Sequence, residues 1–88
     1  MIRELSFKDS GWVDYLYWQK KDKKTLKKIN ALLKDIDRSP FSGEGKPEPL
    51  KYYKQGYWSR RIDGTNRIVY KVTDKRIIIV QCKGHYDD

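Results

Sequence analysis

The chain is poor in the residues that most often carry chemistry: one cysteine, one histidine and one methionine in 88 residues. A lone Cys82 excludes an internal disulfide, and its place in Ile77-Ile78-Ile79-Val80-Gln81-Cys82 reads as a small buried residue rather than a nucleophile. One imidazole without a second one or a thiol pair offers no zinc-ligand spacing, so any chemistry is expected to proceed without metal or organic cofactor. No apolar run of about 18 residues is present, which excludes a membrane-spanning helix. Nor does an apolar stretch follow Arg3, so no secretory signal is read, and a cytoplasmic protein without membrane contact is expected. Acidic residues are also scarce, 12 against 20 lysines and arginines, for a net charge of +8. That density of positive charge favours phosphate-rich partners.

What is present reads as one α+β domain spanning residues 1–88, with two N-terminal helices packed on a small antiparallel sheet. Arg3 to Phe7 alternates as a short strand, and Asp9 or Ser10 is placed to cap a first helix running from about Ser10 to Lys20. Trp12, Tyr15, Leu16 and Gln19 recur at helical spacing, which predicts that this stripe is buried. Asp22 caps a second helix ending near Arg38-Ser39-Pro40, with Leu26, Ile29, Leu33 and Ile36 facing the sheet. Its other faces carry Lys23, Lys24, Lys27, Lys28 and Lys34, a solvated surface that could also rest on RNA backbone.

Glycines and prolines between Phe41 and Pro49 mark a loop. Beyond it the periodicity switches to strands at Tyr57 to Ile62, Arg67 to Val72 and Arg76 to Cys82, joined by turns at Asp63-Gly64-Thr65-Asn66 and Thr73-Asp74-Lys75. In such an antiparallel meander Arg61, Arg67 and the segment after Cys82 reach the same end of the sheet. Two arginines, His85 and Tyr86 then form a candidate phosphate site. Glu48, held extended between two prolines, is the candidate base, while Tyr86, Tyr52 or Tyr53 could stack on an unpaired base. RNA cleavage needs a base for the 2′-hydroxyl, cations for the crowded phosphorane and an acid for the departing 5′-oxygen. Glu48, Arg67 with Arg61, and His85 match those needs in order.

Gly45-Lys46-Pro47-Glu48-Pro49-Leu50-Lys51, Gly56-Tyr57-Trp58-Ser59-Arg60-Arg61-Ile62, Asn66-Arg67-Ile68-Val69-Tyr70 and His85-Tyr86 stand in that order along the chain. Together with Asp14-Tyr15-Leu16-Tyr17-Trp18-Gln19 and Lys27-Lys28-Ile29-Asn30, they resemble the Txe/YoeB family of bacterial toxins, within the RelE superfamily. The resemblance implies a microbial-RNase-like α+β fold. It also implies a ribosome-dependent messenger RNA endonuclease that enters the A site of the 70S ribosome, cuts the exposed codon and halts translation. On it Glu48 is the general base, His85 the general acid, Arg67 the phosphate-stabilising cation and Tyr86 the C-terminal tyrosine of the site. The family's supporting basic positions fall on Lys51 and Arg61; Lys46 and Tyr52 are further candidates for contact with RNA or phosphate. It further implies neutralisation by a cognate YefM/Axe-type antitoxin, and a homodimer. The chain continues past the His-Tyr pair with Asp87 and Asp88, carboxylates beside a site meant for phosphate. Two rival readings are a non-catalytic basic RNA-binding module, which leaves Glu48 and His85 without a task, and a RelE-fold toxin that acts by binding a protein target.

Overall fold

A computed structural model describes residues 3–51 and 55–85. The order of elements is β1 (Glu4–Phe7), α1 (Asp9–Lys21), α2 (Lys23–Arg38), β2 (Glu48–Pro49), β3 (Tyr57–Arg61), β4 (Arg67–Val72) and β5 (Arg76–Gln81). The strands form one sheet in the order β1-β5-β4-β3-β2. The meander β3-β4-β5 is antiparallel as the turns predict. β1 instead lies parallel to β5, because helices intervene between the two strands, so the sheet is mixed. The apolar β5 is an interior strand.

The helix α2 follows its sequence pattern. Asp22 accepts from the Lys24 and Thr25 backbone N–H groups as the N-cap, and Ile29, Leu32, Leu33 and Ile36 are buried with Leu26 half-buried beside them. They pack on Leu5, Phe7, Ile62, Ile68, Tyr70, Ile77 and Ile79 from one face of the sheet.

The helix α1 departs from expectation. Its N-cap is Lys8, which makes no side-chain cap, and Ser10 Oγ donates instead to the Val80 carbonyl at 2.7 Å. The predicted buried stripe is also displaced. Trp12 and Leu16 are exposed and Tyr15 is half-buried, whereas Trp18 is buried with its indole N–H on the Cys82 carbonyl at 2.7 Å. The reason lies at Gly11, where a Cβ would collide with the Ile79 carbonyl. The helix backbone lies directly on β5 at that point, which orients Gly11 and Trp18 inward and turns Trp12, Val13, Leu16 and Tyr17 out.

A bulge changes one further assignment. Val69 pairs with Gln81 but Tyr70 pairs with Ile79, so β5 carries one extra residue. Simple alternation groups Cys82 with Ile78 and Val80. The bulge moves Cys82 into the helix-side core with Ile77 and Ile79, where it is fully buried.

Candidate functional site

The face of the sheet turned away from the helices carries the charged residues. Register places Glu48 opposite Ser59, Ser59 opposite Val69, and Arg61 opposite Arg67, so all five share that face. Alternation sends Trp58, Arg60 and Ile62 to the helix side.

Glu48 lies in the two-residue edge strand β2, an extended conformation imposed by Pro47 and Pro49. Its Oε1 accepts a hydrogen bond from Arg67 Nη1 at 3.1 Å, closing an ion pair between residues 19 apart in sequence. The Arg67 side chain is only 17% exposed and that of Glu48 is 58% exposed. A pair this open adds well under about 1 kcal/mol to stability, so its importance is geometric.

The segment that carries His85 is tied to the same strand end through the backbone of Gly84. Arg67 N–H donates to the Gly84 carbonyl at 3.1 Å, and the Gly84 N–H donates to Asn66 Oδ1 at 2.8 Å. Gly84 takes φ +92°, a left-handed conformation that suits glycine, and His85 follows it directly in the chain. Asn66 is itself fixed by Asp63, whose carboxylate accepts from the Thr65 and Asn66 backbone N–H groups. Those bonds, the one from Asn66 foremost, hold the Asp63 carboxyl below the usual carboxylate range.

Of the remaining cations, Arg61 stands opposite Arg67 in the β3–β4 ladder. Arg61 is exposed, and its backbone N–H donates to the Gly45 carbonyl at 2.7 Å. That bond pins the loop where Gly45 and Lys46 take consecutive left-handed conformations, φ +82° and +53°. A lysine there is strained, as residues at functional sites often are. Lys46 and Arg61 together line a cleft of about 570 Å³ shared with Lys28, Leu32, Gly45 and Asp63. Lys51 is exposed at the end of the Glu48 segment. Tyr52, Tyr53, Tyr86, Asp87 and Asp88 lie outside the described residues.

The loop that carries Lys46 and leads to Glu48 rests on Arg60, which is fully buried. Its guanidinium donates to Tyr70 Oη, the Asp35 carboxylate and the carbonyls of Ser39, Ser42 and Glu44. Five N–H groups meet five acceptors, so the arginine is completely satisfied. The Glu44 backbone N–H first, and Arg60 after it, hold the Asp35 carboxyl below its ordinary range. Burial raises the Tyr70 hydroxyl against the opposing pull of Arg60. Arg60, Asn66 and Ser59 were not among the residues expected from sequence. Strand parity was the available signal for the first, since Arg60 alternates with Arg61 and must point to the apolar side.

The family profile of the YoeB-like toxin of bacterial type II toxin-antitoxin systems matches residues 7–86. The chain belongs to the YoeB toxin family. Toxin YoeB of Streptomyces coelicolor is 55% identical over 82 residues, covering 93% of this chain and 98% of that protein. Toxin YoeB of Escherichia coli K12 is 53% identical, covering 94% of this chain and 99% of that protein. Among solved structures, the YoeB dimer from Staphylococcus aureus superposes with a TM-score of 0.88 at 48% identity, covering 98% of this chain and all of that one. YoeB in the YoeB–YefM complex of the same organism gives 0.84 at 47% identity, again over 98% of this chain and 100% of that one. The YoeB fold is thus shared over nearly the full length, including the strands that bring Glu48, Arg61 and Arg67 together.

Proposed function

We propose that this YoeB-family chain is a ribosome-dependent messenger RNA endonuclease that needs no metal. The observation that carries the reading is the Glu48–Arg67 ion pair with the His85 segment hydrogen-bonded to the Arg67 backbone. A base, a phosphate-binding cation and an acid are gathered at one end of the sheet.

Glu48 removes the proton of the 2′-hydroxyl, and the resulting oxygen attacks its own phosphorus. Arg67, with Arg61 beside it, takes the negative charge that builds on the phosphoryl oxygens. The bond from phosphorus to the 5′-oxygen breaks, His85 in its protonated form supplies a proton to that oxygen, and a 2′,3′-cyclic phosphate remains. Each proton transfer supplies about 10²- to 10⁴-fold, and an oriented charge donor roughly 10²- to 10³-fold. In-line alignment of the attacking oxygen supplies the rest, and a ribosome that presents an unpaired A-site codon is suited to impose it. Lys46, Lys51 and the lysines of α2 hold flanking backbone, while Tyr52 and Tyr86 stack on or hydrogen-bond the exposed bases.

The chain is neutralised by a YefM/Axe-type antitoxin, a reading supported by the YoeB–YefM complex of the S. aureus relative. It also pairs with a second copy, as supported by the S. aureus YoeB dimer and by the exposed Trp12, Val13, Leu16 and Tyr17 on α1. It acts in the cytoplasm, where ribosomes are; among the described residues no helix is long and apolar enough to cross a membrane.

The test is cleavage of a defined messenger on programmed ribosomes with an empty A site, with and without chelator. A chelator-resistant cut within the A-site codon is expected. Tight binding without a cut would replace this reading by that of a binding module.

A further inference from the structure

Ser59 is wholly buried, and its Oγ is the one buried side-chain polar atom without a hydrogen-bond partner among the described residues. An unpaired buried hydroxyl is costly, and alanine would fill the same space without that cost. The position therefore asks for an explanation.

Its surroundings supply one. Ser59 stands directly opposite Glu48 in the β2–β3 ladder and opposite Val69 in the β3–β4 ladder. Residues opposed in this way have Cβ atoms about 4.5–5.5 Å apart, a gap that a glutamate side chain can span. Tyr57 and Arg61 are its neighbours on the same face of β3, and Arg67 pairs with Arg61. Val69, buried yet outside the helix-side core, lies on this face too, and Leu50, whose backbone N–H donates to the Tyr57 carbonyl, is buried just past Glu48, so the surroundings of Ser59 are largely apolar. A hydrogen bond formed there would be strong.

Glu48 now accepts from Arg67. On the nuclease reading above, on which this inference rests, Arg67 must serve the scissile phosphate, and the growing charge on the phosphoryl oxygens draws the guanidinium away. Glu48 then loses the donor that orients it, and a half-exposed glutamate with three rotatable bonds no longer points one way. We propose that Ser59 is a positioning residue for the base: when Arg67 turns to phosphate, Ser59 Oγ–H takes over one oxygen of the Glu48 carboxylate and leaves the other aimed at the 2′-hydroxyl. Ser59 does not itself touch RNA. Its unpaired state in the free protein is the counterpart of a bond made only with substrate in place, and that difference between the two states speeds the chemical step.

Three variants of the full chain test this on programmed ribosomes. Ser59→Ala is expected to keep or raise the thermal midpoint, leave KM unchanged, and slow single-turnover cleavage by about ten- to a hundredfold. Ser59→Thr, which keeps the hydroxyl, is expected to recover the rate. In a crystal structure of Arg67→Ala, Glu48 is expected to have turned onto Ser59 within hydrogen-bond distance, a readout independent of activity. A wild-type cleavage rate in Ser59→Ala overturns the proposal alone, as does a rate loss that merely tracks a fall in thermal midpoint. So does an Arg67→Ala structure with Glu48 in solvent and Ser59 still unpaired. A wild-type protein that never cuts overturns the nuclease reading first, and this inference with it.

Discussion

The buried guanidinium of Arg60 ends on the carboxylate of Asp35, joining β3 to the last turns of α2 from beneath the loop that leads to Glu48. Removing Arg60 leaves Asp35 paired with Arg38 but strips the Ser39, Ser42 and Glu44 carbonyls of their buried donor and leaves a gap in the interior. Arg60→Ala is expected to lose about 3–5 kcal/mol of stability in urea unfolding. Arg60→Lys should lose much of the same, because an ammonium has three donors where five acceptors wait. A loss below about 1 kcal/mol for both would mean that the loop holds itself.

The same pair sets an acid limit. Asp35 and Asp63 are held below the usual carboxylate range by backbone N–H donors first, and Asp22 by the Thr25 hydroxyl and then its N–H. A depressed folded-state pKa contributes stability that is fully present above the unfolded value, about 3.9, and is lost as pH falls through the folded value. Unfolding free energy should therefore be flat near neutrality and fall steeply from roughly pH 4 downward. Asp35→Asn should be less stable at neutral pH and show a shallower acid slope. An unchanged slope in that variant would remove Asp35 from the account.

Burial, with Asp14 nearby, pushes the Cys82 thiol up to about 12. Its Sγ lies 3.7 Å from the Gly11 carbonyl beneath α1. Native protein should resist thiol reagents at pH 8, with alkylation appearing only together with unfolding in denaturant. Rapid labelling of the folded chain would show that α1 opens from β5.

Lys23 and Lys27 lie on the exposed side of α2, away from Glu48 and His85 in sequence and on no strand of the site. Replacing both by glutamate should weaken ribosome binding and flatten its dependence on salt by roughly 0.7 in log–log slope for each single-strand phosphate that is no longer neutralised. The cleavage rate of the bound complex should change little. An unaltered salt slope would make that face merely solvated.

Much of the architecture was legible because periodicity and turn chemistry agreed. The Asp22 cap, the apolar stripe of α2 and the Asp63–Asn66 turn all stand where the residues put them. The helix α1 was not legible in detail: Trp12, Tyr15, Leu16, Tyr17 and Trp18 supply large side chains in several directions, and the deciding approach is that of Gly11 to the Ile79 carbonyl, far away in sequence. The β5 bulge was invisible for a related reason, since every residue from Ile77 to Val80 is apolar and either parity fits. Within the candidate site, strand pairing alone predicted the meeting of Arg61 and Arg67. Ser59 left no mark in the pattern, because a small polar residue in a strand is ordinary until its burial and lack of a partner are known.

The most direct measurement compares single-turnover cleavage and ribosome affinity for wild type, Glu48→Ala, Arg67→Ala and His85→Ala on the same programmed ribosomes. The predicted result is a rate lowered at least about a hundredfold in each variant with affinity nearly unchanged, the pattern of groups that act on the reacting atoms. Variants that lose affinity as fully as rate would contradict the account, and would turn the three residues into docking contacts.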